Sequence, residues 1–82
     1  MHLTKKEKEV LKKILLSNKD ISNDLVITLS TVKTHIFKIM KKLKSKNRGI
    51  ALIKAIRLRL LNLDEVDIGF WDKDGIYVED IQ

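Results

Sequence analysis

Along residues 5–62 the apolar positions recur with the period of an α-helix, and the pattern restarts three times. Thr4 and Glu7 open it with the Thr-x-x-Glu spacing of a capping box, in which each side chain accepts the other's free N–H. Val10, Leu11, Ile14 and Leu15 form one stripe, with Lys5, Lys6, Lys8, Lys12 and Lys13 around it, which predicts a first helix over about 5–16. The run Ser17-Asn18-Lys19-Asp20 interrupts it and offers Ser17 or Asn18 as the next cap. Ile21, Leu25 and Val26 mark a short second helix, about 18–25. Ile27 is apolar within the following turn and is expected to point inward, and Thr28 to cap a third helix that runs to about Lys44. There Val32, Ile36, Ile39, Met40 and Leu43 make the stripe, with His35 at its edge.

Lys44-Ser45-Lys46-Asn47 ends the third helix, and Asn47 can cap a fourth over about 48–62. This one is apolar almost all round: only Lys54, Arg57, Arg59 and Asn62 interrupt Ile50 to Leu63. A chain of 82 residues has no large core in which to bury such a helix, which favours a shared face with a partner. After residue 63 the period changes. Val66, Ile68 and Phe70 alternate with Asp67 and Gly69, and Ile76 and Val78 with Tyr77 and Glu79, on either side of Asp72-Lys73-Asp74-Gly75. That predicts two strands joined by a tight turn, with Trp71 and Tyr77 able to pair across it. The expected fold class is all-α, a four-helix bundle over residues 1–63, with a short C-terminal β-hairpin extension inside an acidic segment, 64–82.

Composition narrows the function classes. The absence of cysteine excludes disulfides and thiolate metal sites. No apolar run approaches the ~20 residues that span a bilayer, and no signal-peptide pattern opens the chain, so a cytoplasmic protein without a membrane partner is expected. No Gly-rich phosphate loop, no nucleophile with a base, and no metal-ligand spacing is present. Asp72-Lys73-Asp74-Gly75 resembles the start of a calcium loop but lacks its remaining ligands. Neither enzyme chemistry nor a cofactor is expected. The charge, in contrast, is informative. Residues 1–63 hold sixteen of the seventeen Lys and Arg against four acids, a net of +12; residues 64–82 hold Lys73 against seven acids, a net of −6. A body this basic attracts polyanions, and the nucleoid is its expected place.

The second helix, a turn with one inward apolar residue, and a third helix with one basic side make a helix-turn-helix. Ser30, Lys33, Thr34, Phe37, Lys38 and Lys41 point away from the Val32/Ile36/Ile39/Leu43 stripe. Lysine can donate to guanine O6 and N7, threonine can donate or accept, and flanking charge meets phosphate. Lys33 and Thr34 are the expected base readers, with Ser30, Thr31 and the flanking lysines as phosphate anchors.

"LTKKEKEVL" at 3–11, "ISNDLVITLSTVKTHIFKIMKKL" at 21–43 and "KNRGIALIKA" at 46–55 resemble the LuxR/GerE-type helix-turn-helix, whose pattern reads L-T-x-R-E-x-E-V-L, then I-A-x-x-L-x-I-S-x-x-T-V-K-x-H, then K-L and S-R-x-x-A. The resemblance covers residues 3 to about 61. It implies a four-helix DNA-binding domain of bacterial transcription regulators, with the third helix reading DNA and the fourth forming a homodimer. By that likeness Val32 is core, Lys33 contacts DNA and Thr34 faces base edges; Thr28 caps the reading helix, Arg48 opens the fourth helix and Ala51 packs behind it. A dimer surface through Ile53, Ile56, Arg57, Leu60 and Leu61 is expected. Lys6 replaces the family's arginine, the link between the first two helices is shorter and lacks its customary glycine, and Phe37 stands where a polar residue is usual. Thr4 lies near the first residue, so the receiver or ligand-binding domain that usually precedes this unit is expected to be missing from this chain, as in a stand-alone member or an excised fragment. The acidic segment falls outside the pattern. It is expected to brace the fold, to cover the basic face, or to dock a regulatory protein partner. Two other readings of the chain stay open: a protein-interaction module using the fourth helix and the hairpin, and sequence-blind nucleic-acid binding.

Overall fold

The computed structural model describes residues 2–68. Four helices follow in order, α1 (Lys5–Lys12), α2 (Asn18–Leu25), α3 (Leu29–Lys42) and α4 (Arg48–Arg57), then a single 3-10 turn at Leu63–Glu65. Each α-helix starts where a side chain satisfies its free N–H groups. The Thr4–Glu7 capping box is complete: Glu7 N–H donates to Thr4 Oγ1 at 3.1 Å and Thr4 N–H to Glu7 Oε1 at 2.9 Å. Ser17, Thr28 and Asn47 cap α2, α3 and α4.

The helices end less visibly. α2, α3 and α4 all close by the same device, a residue in the left-handed region followed by an N–H that reaches back to an earlier carbonyl. The residues are Val26 (φ 55°), Lys44 (φ 52°) and Arg59 (φ 60°), none of them glycine. The N–H groups of Ile27, Ser45 and Leu60 donate to the carbonyls of Ser22, Met40 and Ala55. For α3 this stops the helix two residues before Lys44. For α4 it stops the helix at Arg57 instead of about 62, and turns the following residues back toward the body.

One core forms from all four helices: Val10, Leu11 and Ile14; Ile21; Val32, Ile36, Ile39 and Leu43; Ala51, Leu52 and Ala55, closed by Leu61 and Val66. Leu15, expected in the first stripe, is half exposed, because α1 stops at Lys12 and its last residues form tight turns. A tertiary contact holds these turns. The Arg48 guanidinium donates to the carbonyls of Ile14 (2.7 and 3.0 Å) and Leu16 (2.8 Å) and to Asn18 Oδ1 (2.6 Å), which binds the start of α4 to the α1–α2 link.

After α4 the chain crosses back to α1. Asp67 N–H donates to the Lys12 carbonyl at 2.8 Å, and Lys13 Nζ lies 3.0 Å from Asp67 Oδ2 and 3.3 Å from Asp24 Oδ2 of α2. Burial pulls the Lys13 pKa down, but the two carboxylates outweigh it and hold the pKa above its ordinary value. Of the expected hairpin only Val66–Ile68 fall among the described residues, and they form no strand there; Val66 closes the core and Ile68 packs beside it. Phe70, Trp71, the Asp72–Gly75 turn and the segment around Ile76–Val78 lie outside them.

Candidate nucleic-acid interface

The α2–α3 turn fixes which side of α3 faces outward. The Ser22 hydroxyl donates to the Ile27 carbonyl at 2.5 Å, and Ile27 is tucked against the core. The Thr28 hydroxyl accepts the Thr31 N–H at 3.1 Å and shares a hydrogen bond with the Thr31 hydroxyl at 2.8 Å. From this start Val32, Ile36, Ile39 and Leu43 enter the core, and the helical period pushes the other side into solvent.

On that side Ser30, Lys33, Thr34, Phe37, Lys38 and Lys41 are all exposed, and Thr31 is half-buried by its bond to the cap. The Thr34 hydroxyl donates to the Ser30 carbonyl at 3.1 Å, which leaves its oxygen as an acceptor toward solvent. α3 contains no acid, and among the described residues no carboxylate pairs with Lys33, Lys38 or Lys41. Lys41 Nζ lies 5.8 Å from the centre of the Phe37 ring, within cation–π range. The face is therefore cationic, with one exposed aromatic ring. Its chemistry suits phosphate and base edges. His35 is half-buried at the stripe's edge, and its Nδ1 has no hydrogen-bond partner among the described residues.

Lys42 has a different use. Its Nζ lies 2.6 Å from Oε1 of Glu7, a carboxylate only 3 % exposed, and so ties the end of α3 to the start of α1. Burial acts to raise the Glu7 pKa, but hydrogen bonds from Lys42 and the Thr4 N–H, with the lysine's charge, hold it below its ordinary value. Lys54 donates to the carbonyls of Leu43 (3.3 Å) and Lys44 (2.8 Å), which satisfies the C-terminus of α3. Arg48, Lys54 and the Glu7–Lys42 pair thus aim α3 without lying on its outer face. Nothing in local periodicity singles out Lys42 or Lys54 from the other lysines.

The residues expected at a dimer surface divide. Ile53 is 55 % exposed and Arg57 is also exposed, whereas Ile56 and Leu60 are half-buried against the core. Leu61 is a correction: at 3 % exposure it fills the chain's own core, because the left-handed turn at Arg59 takes it off α4. Ile50, 46 % exposed and one turn before Ile53, belongs to the open stripe instead. Val26, read with Ile21 and Leu25 in the stripe of the second helix, is instead 86 % exposed, because its left-handed turn takes it off α2, and Leu29 beside it is 43 % exposed.

The arrangement has known counterparts. The GerE profile, described as bacterial regulatory proteins of the luxR family, matches residues 1–55. The chain belongs to the LuxR family. Its helix-turn-helix is that family's DNA-binding unit. The transcriptional regulatory protein LiaR of Bacillus subtilis (strain 168) is 45 % identical over 62 residues, 73 % of this chain and 29 % of that protein. The CsgBAC operon transcriptional regulatory protein of Escherichia coli (strain K12) is 46 % identical over 52 residues, 61 % of this chain and 24 % of that protein. The spore germination protein GerE of Bacillus subtilis (strain 168) is 36 % identical over 63 residues, 74 % of this chain and 85 % of that protein. This LuxR-type chain thus spans under a third of the first two relatives, but most of GerE. No solved structure matches it significantly. Among the described residues no helix is long and apolar enough to cross a membrane.

Proposed function

We propose that this LuxR-family chain is a sequence-specific duplex-DNA-binding transcription regulator. α3 enters the major groove, Lys33 and Thr34 read base edges, and Ser30, Thr31, Lys38 and Lys41 hold phosphates. Phe37 meets apolar base surface such as a thymine methyl. One observation carries the reading: six of the seven candidate side chains stand exposed on the one side of α3 that the core leaves open, with no acid on the helix. Two of the relatives are transcriptional regulatory proteins, which supports the same role. A homodimer through the open stripe of α4 would set two reading helices about one turn of DNA, ~34 Å, apart and favour a palindromic site. The site of action would be the nucleoid.

The test is selection from a random duplex pool, followed by Lys33→Ala. A palindromic consensus, with affinity for it cut by roughly 1–3 kcal/mol in the variant, is the expected result. A folded chain that enriches nothing and loses affinity uniformly with salt would point to sequence-blind binding instead.

A further inference from the structure

The C-terminal half of α3 and the link to α4 form a shallow groove lined by Phe37, Met40, Lys41, Lys44, Ser45 and Lys46. Phe37 is 65 % exposed along it. Among the described residues, no carboxylate pairs with Lys41, Lys44 or Lys46. The groove therefore offers an apolar surface with three cations available at its rim.

The chain carries the complementary chemistry after residue 68. The fourteen residues 69–82 hold Asp72, Asp74, Glu79 and Asp80 against Lys73, interleaved with Phe70, Trp71, Ile76, Tyr77 and Ile81. The acids just before them already neutralise lysines of the body: Glu65 lies 3.4 Å from Lys12, and Asp67 3.0 Å from Lys13. Asp67 is bonded to Lys12, and two residues further along that same link Ile14 accepts from Arg48, itself two residues from Lys46. Fourteen residues can extend to roughly 46 Å.

We propose that residues 69–82 bind this groove within the same molecule, acids on Lys41, Lys44 and Lys46 and an aromatic ring beside Phe37, and so compete with DNA for the C-terminal half of α3. Tethering supplies an effective concentration in the mM range, so weak contacts suffice to populate the closed form at low salt. Competition with DNA rests on the reading of α3 given above. The contact itself does not, and can be tested without DNA.

Trp71 is the chain's only tryptophan and reports the segment directly. In the full chain at low salt, Lys44→Glu with Lys46→Glu should shift Trp71 emission to the red and raise its acrylamide quenching at least about two-fold, as should about 0.5 M KCl on the parent chain, which screens ion pairs while the helical circular dichroism stays constant. An unmoved Trp71 under both treatments overturns the proposal. So does a shift that depends on protein concentration, which would place a second copy in the groove. A labelled duplex is then titrated into the full chain. Trp71 should be released over the range in which the duplex binds, and Asp72→Asn, Asp74→Asn, Glu79→Gln and Asp80→Asn together should tighten binding several-fold. If the duplex binds and Trp71 does not respond, the competition fails while DNA binding stands. If no duplex binds even the neutralised chain, DNA binding fails and the competition with it, while the salt and lysine-reversal spectra still decide the contact.

Discussion

Replacing Arg48 should destabilise the fold more than any change on the outer face of α3. Its guanidinium spans three acceptors, the carbonyls of Ile14 and Leu16 and the side-chain oxygen of Asn18, at 2.6–3.0 Å. Burial pushes the guanidinium pKa down from its ordinary value, a desolvation cost that these acceptors offset. A hydrogen bond from a charged donor contributes about 1.5–3 kcal/mol net. Three such acceptors do not add in full, since the site is only partly buried and water can replace some partners. Arg48→Met, which keeps an unbranched apolar stem, should therefore cost about 2–3 kcal/mol. That is a large part of the roughly 4–12 kcal/mol expected for a chain of this length. Arg48→Lys should recover less than half, because a single ammonium cannot span acceptors arranged for a planar fork. Urea unfolding followed by circular dichroism gives the values, with an unchanged m-value certifying a common unfolded state. A Met variant within about 0.5 kcal/mol of the parent, inside the range of ordinary surface changes, would mean that packing alone joins α4 to the α1–α2 link.

Three further outcomes follow from the geometry. Val26 is 86 % exposed and held at φ 55°, which costs a side chain with a Cβ roughly 1–2 kcal/mol; Val26→Asn should raise Tm by about 4–8 °C per kcal/mol recovered, and an unchanged Tm would show that the turn holds no strain. Because the Glu7 pKa is lowered in the fold, its stabilisation is full above the ordinary carboxylate range and is lost as pH falls through that range toward the folded value. The urea midpoint should therefore drop between about pH 6 and pH 3, and Glu7→Gln should flatten that drop; parallel curves would assign it to other acids. Ile53→Glu should abolish any concentration-dependent dimer in sedimentation while changing monomer stability by less than about 0.5 kcal/mol, since Ile53 is 55 % exposed. A dimer that survives the substitution would move the interface away from α4.

Most of the candidate face could be read before the structure, and the reason is local. Capping and periodicity depend on residues three or four apart, so Thr4, Thr28 and Asn47 announced their helices, and Val32, Ile36 and Ile39 settled which side of α3 stays outside. The helix ends were hidden because their left-handed residues are Val26, Lys44 and Arg59, with none of the glycines that normally advertise such a stop. That is why α4 read as longer than it is and Leu61 as surface.

The sequence by itself determined the helix-turn-helix, its basic outer side, the family and the opposite charges of the body and the C-terminal segment. These are set by residue spacing and composition. Only the tertiary structure decided which lysines are committed within the fold: Lys42 to Glu7, Lys13 to Asp24 and Asp67, Lys54 to the carbonyls that end α3. It also decided that Leu61 and Val66 close the core and that Arg48 ties the start of α4 to the α1–α2 link. A pairing between residues 35 or 54 positions apart leaves no periodic trace. It exists only once packing has brought the helices together, and there the energy of satisfying buried carbonyls and a buried carboxylate outweighs local helix propensity.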